Sequence, residues 1–341
     1  MRKLGVAVVG VGMLGQRHAE NLRSRVADAE LVAVVDSDGK RAAQVAEGLE
    51  VEHSYAHLAD VLERKDVEAI VITTPSKFHA ETIEAAARAG KHVFCEKPIA
   101  LTLPQADAAL AAVQKAGVQL QIGFMRRYDS GYANARRRIA AGEIGEPVIF
   151  KSVGRDQQPP PLSYFQGACN GTIFSDSGIH DFDLARWMMN DEIVSVHTFA
   201  GCMACPELAQ FDDVDAVLIN LRFARGGIGN IEAFRKAIYG YDIRTEILGT
   251  KAALQVGYLS QTPLRVLNSA GITHDVVNHW LVRFGDAYLD ELRDFVRCVR
   301  AGIPASITGE DGRRALAVAV AAEQSYREAR PVTVGTETGE A

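Results

Sequence analysis

"VAVVGVGMLGQRH", residues Val6–His18, decides the reading of the N-terminal half of the chain. The run "LGVAVVG", ending at Gly10, has the composition of a strand buried on both faces of a parallel sheet. It passes directly into Gly10-x-Gly12-x-x-Gly15 and then into the helical pattern "LGQRHAENLRSR". The glycine spacing alone is a weak signal. A strand before it and a helix after it give it meaning. Gly10 permits a tight turn, Gly12 lets backbone approach a pyrophosphate, and Gly15 lets helix and strand pack closely. Met13 and Leu14 lie at the helix start, where free N–H groups and the positive end of the helix dipole suit phosphates. The stretch therefore reads as a dinucleotide-binding turn.

The next strand, "AELVAVVD", ends in Asp36, 21 positions after Gly15. A carboxylate there accepts hydrogen bonds from adenosine ribose hydroxyls and repels a 2′-phosphate, so NAD is expected over NADP. Lys40 and Arg41 follow closely and soften that preference; the competing reading is a solvated turn aspartate. "VEAIVITTP", "KHVFCEKP" and "VQLQIGF" give three further strands, with Ala-rich helical patterns between them. Strand–helix alternation with short connections means a doubly wound parallel sheet, here of five strands. Thr73, Thr74 and Pro75 end the third strand on the edge where such sheets bind ligands. His79 opens the following helix, either approaching the nicotinamide half or lying on the surface. Glu96 and Lys97 end the fourth strand on the same edge and join the expected cofactor-binding set.

The rhythm changes near Gly123. Longer strand-like runs follow, and Gly226–Gly227 sits between two of them as a hairpin turn. Residues 124–341 therefore read as a second, α+β domain with a large, mostly antiparallel open sheet, after a first domain over 1–123. Two amphipathic helices close the chain, and Thr308 before Asp311 resembles a loose capping box.

Composition bounds the function. The chain has 341 residues, 48% hydrophobic and 23% charged, with net charge −6. That is ordinary globular material for about two domains, and the mild acidity argues against nucleic-acid binding. No signal peptide or membrane span is read, and five scattered cysteines suit a reducing, cytoplasmic setting. Cys202 and Cys205 form a lone C-x-x-C, read as small buried residues rather than a metal or redox pair. No metal set is expected.

Lys97 is the first chemical candidate. It lies at a strand's carboxyl end and precedes Pro98, which forces an extended or turned backbone. The alternative is a Glu96–Lys97 surface pair. The second candidate is "FSDSGIHDFDLARW", holding Asp176, His180, Asp181 and Asp183 within eight positions. Asp176 and His180 are four apart and share a helix face if the first turn includes Asp176. A carboxylate beside an imidazole fixes its tautomer, making His180 an acid/base for a hydroxyl proton. The alternative is an N-cap Asp with a half-buried His. Hydride transfer from a secondary alcohol needs such a base and a cation near the developing alkoxide, which Lys97 supplies.

These motifs, in this order, resemble the Gfo/Idh/MocA oxidoreductases over essentially the whole chain. The glycine turn, "TP", "EKP" and the "D-x-G-x-H-x-x-D" helix start carry the likeness. "GFMRRYDSGY" and "SDSGIHDFDLARW" are most similar to the inositol 2-dehydrogenase branch. The resemblance implies a Rossmann domain followed by a large open sheet used in homo-oligomers, a tetramer or dimer. It implies His180 as proton acceptor, Asp176 as its partner, and Lys97 lowering the alcohol's pKa. It places Arg127, Asp156 or Gln157, Asp183 and Tyr239 around a polyol; Arg126 and Arg127 read alternatively as ordinary cations at a helix start. "CNGTIF" stands where a glycine pair is expected, which leaves the polyol's identity open. The expected function is NAD-dependent oxidation of a ring hydroxyl of myo-inositol, or a stereoisomer, to an inosose. The alternatives are a dehydrogenase of a glucoside C3 or nucleotide-sugar hydroxyl, and a catalytically silent NAD-binding regulator.

Overall fold

The computed structural model describes residues 2–166 and 170–335. Cys169, the first residue of "CNGTIF", lies outside them. The chain forms two compact units. In the first, Leu4–Val9 (β1), Ala29–Val35 (β2), His53–Tyr55 (β3), Ala69–Ile72 (β4), His92–Glu96 (β5) and Leu120–Gly123 (β6) make a parallel sheet of order β3-β2-β1-β4-β5-β6. β1 and β4 are buried along their whole lengths, as their unbroken apolar runs require. Strand order reverses between them, so their carboxyl ends mark the switch point where such sheets bind ligands. Five strands were expected and six are present. The addition, "HSY", is three half-buried residues with no apolar run to announce them.

The division of the chain also differs from the expected 1–123 and 124–341. The first unit extends to Met125 and takes in Asp286–Leu316, while Arg126–Gly285 and residues 317–335 belong to the second. The cause is the helix Trp280–Ala301. Its Leu289, Leu292, Phe295 and Val296 are buried in the first core with Val8, Leu22, Val34 and Phe94. After it, Ile122 donates its N–H to Ile307 O at 3.1 Å, extending the β6 edge. An amphipathic stripe shows in sequence that a helix docks, but not onto which sheet. The capping box before Gly309–Glu328 is present: Thr308 N–H donates to Asp311 Oδ2 at 2.9 Å, and Asp311 N–H to Thr308 Oγ1 at 3.2 Å.

In the second unit, Pro147–Arg155 (β7), Ile193–Gly201 (β8), Ala216–Phe223 (β9), Ile228–Phe234 (β10), Asp242–Gly249 (β11) and Ala253–Val256 (β12) join one sheet. Arg265–Asn268 (β13) and Gly271–His274 (β14) form a separate exposed hairpin, and Val332–Thr333 (β15) closes the sheet's far edge. The sheet order is β12-β11-β7-β10-β9-β8-β15. Only β7 and β10 pair in parallel, so it is mostly antiparallel as expected. The β9–β10 hairpin turns at Gly226, whose φ of 95° favours glycine. Along β9, Val217, Ile219, Leu221 and Phe223 are buried while Leu218, Asn220 and Arg222 are exposed, the alternation of a sheet with one covered face. The helix Ile179–Met189 is buried almost all round, including its charged residues. Among the described residues no helix is long and apolar enough to cross a membrane.

Candidate functional site

The glycine turn is built as the motif demands. Gly10 has φ of 89°, and a Cβ there would stand 2.8 Å from Thr74 N. A Cβ on Gly15 would lie 1.8 Å from Gly10 O. At Gly12 nothing lies within 4 Å of such an atom, so this backbone is open to a ligand. Met13 and Leu14 begin the helix whose N-cap is Gly12, and no side chain caps it. Its first N–H groups are thus left for an anion. Thr73 Oγ1 donates to Gly10 O at 2.5 Å, tying β4's exit to the turn. Thr74 Oγ1 is buried without a hydrogen-bond partner among the described residues, and Pro75 follows it into a short helical turn. An open glycine, uncapped N–H groups and a buried unpartnered hydroxyl on one sheet edge fit a dinucleotide.

Asp36 does more than the sequence suggests. It is buried, and its Oδ2 accepts Val11 N–H while Oδ1 accepts Asp38 N–H, both at 2.9 Å. The carboxylate thereby fastens the glycine turn to the end of β2, and its second lone pairs remain for ribose hydroxyls. The solvated-aspartate reading does not survive this burial. Arg41 Nη1 lies 3.5 Å from Oδ2 and is half exposed. Asp36→Ser removes the charge that repels a 2′-phosphate and leaves Arg41 to attract it. The expected result is at least a ~10-fold loss of NAD-over-NADP preference in kcat/KM. An unchanged ratio from paired initial rates would assign the preference elsewhere.

His79 is not a surface histidine. It is buried, with Nδ1 2.7 Å from Pro98 O and Nε2 2.8 Å from Thr74 O. It therefore clamps the turn after β4 to the turn after β5. Burial outweighs these two acceptors and lowers its pKa. The Lys97–Pro98 peptide is cis, and Lys97 is half-buried behind the buried Cys95 and Glu96. A Glu96–Lys97 surface pair is excluded by the burial of Glu96, whose Oε1 lies 2.7 Å from His18 Nε2.

In the second unit, Asp176 sits in the turn before the helix Ile179–Met189, its N–H donating to Thr172 O at 2.9 Å. His180 lies buried in the helix's first turn. Asp176 is held by groups the sequence did not single out. Tyr164 donates its hydroxyl to Oδ1 at 3.1 Å, and Arg235 Nη1 lies 3.6 Å from Oδ2. Arg235 is fully buried, donates from Nη2 to Asp213 Oδ2 at 3.0 Å, and lies over the Phe165 ring. Nothing local in "AFRK" marks this arginine, because its partners come from distant stretches.

The expected polyol readers divide. Arg127 and Asp183 close on each other as a two-pronged pair, Nε to Oδ2 at 2.8 Å and Nη2 to Oδ1 at 2.5 Å. Arg126 makes a single contact with Asp181, Nη1 to Oδ1 at 2.7 Å; Arg126, Asp181 and Asp183 are buried and Arg127 is largely so. Neither arginine is an ordinary surface cation: both anchor the helix that carries His180. Asp156 follows β7 and accepts Ser177 Oγ–H at 3.4 Å, close in sequence to the Asp176 turn. Gln157 borders a cavity of about 420 Å³ with Leu162, Glu207 and Ile238. Tyr239 is exposed, and its hydroxyl accepts from Arg155 at 2.6 Å and donates to Asp242 at 2.8 Å. Cys202 and Cys205 are free thiols, pushed up in pKa chiefly by burial, and Cys205 packs with Phe165 and Leu208. Cys205 is buried, whereas Cys202 is only half-buried.

Comparison with known proteins gives the family of the chain. A family model described as "Oxidoreductase family, NAD-binding Rossmann fold" matches residues 4–124. Its companion, "Oxidoreductase family, C-terminal alpha/beta domain", matches residues 136–334. The chain is 40% identical over 326 residues to scyllo-inositol 2-dehydrogenase (NAD(+)) of Bacillus subtilis, covering 96% of this chain and 95% of that one. It is 36% identical over 328 residues to Myo-inositol 2-dehydrogenase of Thermotoga maritima, covering 96% and 97%. Among solved structures, scyllo-inositol dehydrogenase from Lactobacillus casei with bound NAD(H) and scyllo-inositol matches with a TM-score of 0.92 and 29% identity, covering 98% and 99%.

Proposed function

We infer the function from one plain premise: the chain belongs to the Gfo/Idh/MocA oxidoreductase family. It is an NAD-dependent dehydrogenase that oxidises a ring hydroxyl of an inositol to the corresponding inosose. The observation that carries this reading is likeness to inositol dehydrogenases over nearly the full length of both chains. Lys97, Asp176 and His180 are all present in their motifs, which disfavours a silent regulator. NAD would be held by the Gly10–Gly15 turn, Asp36, and the Thr73–Pro75 and Glu96–Lys97 turns. Bound there, its nicotinamide supplies the acceptor for the hydride.

The remaining chemistry belongs to the protein. His180 takes the hydroxyl proton, Asp176 orients the imidazole and stabilises its cationic form, and the Lys97 ammonium stabilises the alkoxide as it develops. Tyr164 and Arg235 fix Asp176 from behind. Asp156, Gln157 and Tyr239 read the other hydroxyls, and the Arg127–Asp183 pair holds the helix that presents His180. A neutral polyol offers only hydroxyls, so each paired contact discriminates strongly between epimers. Phe199 and Leu218, cross-strand neighbours exposed on the open face of the second sheet, support self-association into a homo-oligomer.

The test is an initial-rate screen of myo- and scyllo-inositol against simple glucosides, with NAD and NADP. NADH formation with an inositol is expected. Turnover confined to glucosides would replace the polyol reading, and NAD binding without turnover of any polyol or sugar would replace the enzyme reading.

A further inference from the structure

In one buried cluster of the first unit, two members, His18 and Glu291, have no part in the site described above. His18, on the helix after the glycine turn, Glu96, at the end of β5, and Glu291, on the helix Trp280–Ala301, bring their side-chain N and O atoms within 4.8 Å of one another. All three residues are buried. His18 Nε2 stands 2.7 Å from Glu96 Oε1. That is the spacing of atoms sharing a proton, whereas two ligands of one tetrahedral metal ion stand about 3.3 Å apart. Gly123 in β6 leaves room for the carboxyl: a Cβ there would lie 2.9 Å from Glu96 Oε2. The His18 ring meets Phe94 and Tyr288 edge-on, which fixes its plane. Both Glu291 oxygens and His18 Nδ1 are buried without hydrogen-bond partners among the described residues.

Two buried carboxyls this close do not both ionise. Burial first, and then the neighbouring Glu96, push Glu291 well above its ordinary pKa. Three other groups share this neighbourhood: His79 and Cys95, on which Glu96 acts electrostatically, and Lys97, the next residue in the chain.

We propose that His18 and Glu291 are positioning residues: with Glu96, which His18 contacts directly, they form a buried cluster that fixes the end of β5 immediately before Lys97. This rests on the role of Lys97 given above. A cluster acting only through Lys97 has no effect where Lys97 is absent.

The experiment is a double-mutant cycle on the full chain with infrared detection of protonated carboxyls. Glu291→Gln keeps the shape and neutrality and should retain kcat within about threefold. Glu291→Ala should lower kcat at least ~10-fold with NAD affinity kept, and by under ~2-fold in the Lys97→Ala background. A protonated-carboxyl band at neutral pH should vanish in Glu291→Gln. Equal losses in both backgrounds would overturn the positioning role. So would a Glu291→Gln as impaired as Glu291→Ala, an unchanged band in Glu291→Gln, or a stoichiometric divalent metal in the purified protein. If Glu291→Ala fails to fold, the Gln variant and the band decide. Near-normal turnover of Lys97→Ala alone would instead remove the reading of Lys97 itself, and the band would still report whether Glu291 carries the proton.

Discussion

Lys97→Ala should fold normally and bind NAD with nearly unchanged affinity while kcat falls by about 10²–10³-fold, the usual loss when one preorganised charge is removed from a developing oxyanion. Folding is spared because β5 is held by its backbone ladders to β4 and β6 and by the buried Val93, Phe94 and Cys95. The lysine side chain takes no part in those ladders. NAD affinity should be spared because the dinucleotide contacts proposed above lie chiefly at the open glycine turn and Asp36. What is lost is stabilisation of negative charge on the substrate oxygen, which is greatest in the transition state and small before it. The loss should therefore appear in kcat rather than KM. The primary deuterium isotope effect on the reacting C–H should rise toward its full value as hydride transfer becomes rate-limiting. Near-normal turnover would take Lys97 out of the chemistry.

The first sheet was legible because its information is local. A parallel strand buried on both faces must be a continuous apolar run, and β1 and β4 read as such from sequence alone. The glycine motif fixes the turn between strand and helix, and the structure supplies the clash each glycine avoids. What failed to show was non-local. "HSY" pairs with β2 because a neighbouring strand offers it a free edge, not because its own pattern demands it. The helix Trp280–Ala301 announced its apolar stripe but not which core the stripe would enter.

The site divides in the same way. Residues whose proposed role depends on their own chemistry and their position on a strand end or helix start could be named from sequence: Lys97, Asp36, Asp176, His180. Residues whose role depends on a distant partner were misread or missed. Arg126 and Arg127 look like a basic helix start until Asp181 and Asp183, 55 and 56 positions on, are placed against them. His79 reads equally as a neighbour of the nicotinamide or a surface residue until two carbonyls close on it. A buried charge carries no mark in one dimension, since its cost is met only by groups the fold brings up.

Arg235 is the strongest case, and Arg235→Met is expected to cost about 3–5 kcal/mol of stability, the range for removing one partner of a buried ion pair. The methionine fills much of the volume beside Phe165, so the deficit measures charge rather than a cavity. Asp213 is buried, already raised in pKa by that burial, and lowered by Arg235 beside it. Without the arginine its carboxylate faces no cation at Oδ2, and Asp176 loses a restraint as well. The sign with pH follows. Asp213's folded pKa climbs further above its unfolded value of 3.8, so the variant's folded state binds a proton that the unfolded chain releases. The deficit should therefore be largest at pH 7–8 and shrink as pH falls toward 5. Arg235→Lys, which keeps the charge but not the fork that spans Asp213 and Asp176, should fall between wild type and Met. Adding Asp213→Asn to Arg235→Met should recover part of the loss, because a neutral amide is cheaper to bury than an unpaired carboxylate. Urea titrations at pH 5 and 8 measure all of this. A deficit that is small, or equal at the two pH values, would mean that Arg235 is not what offsets the burial of Asp213.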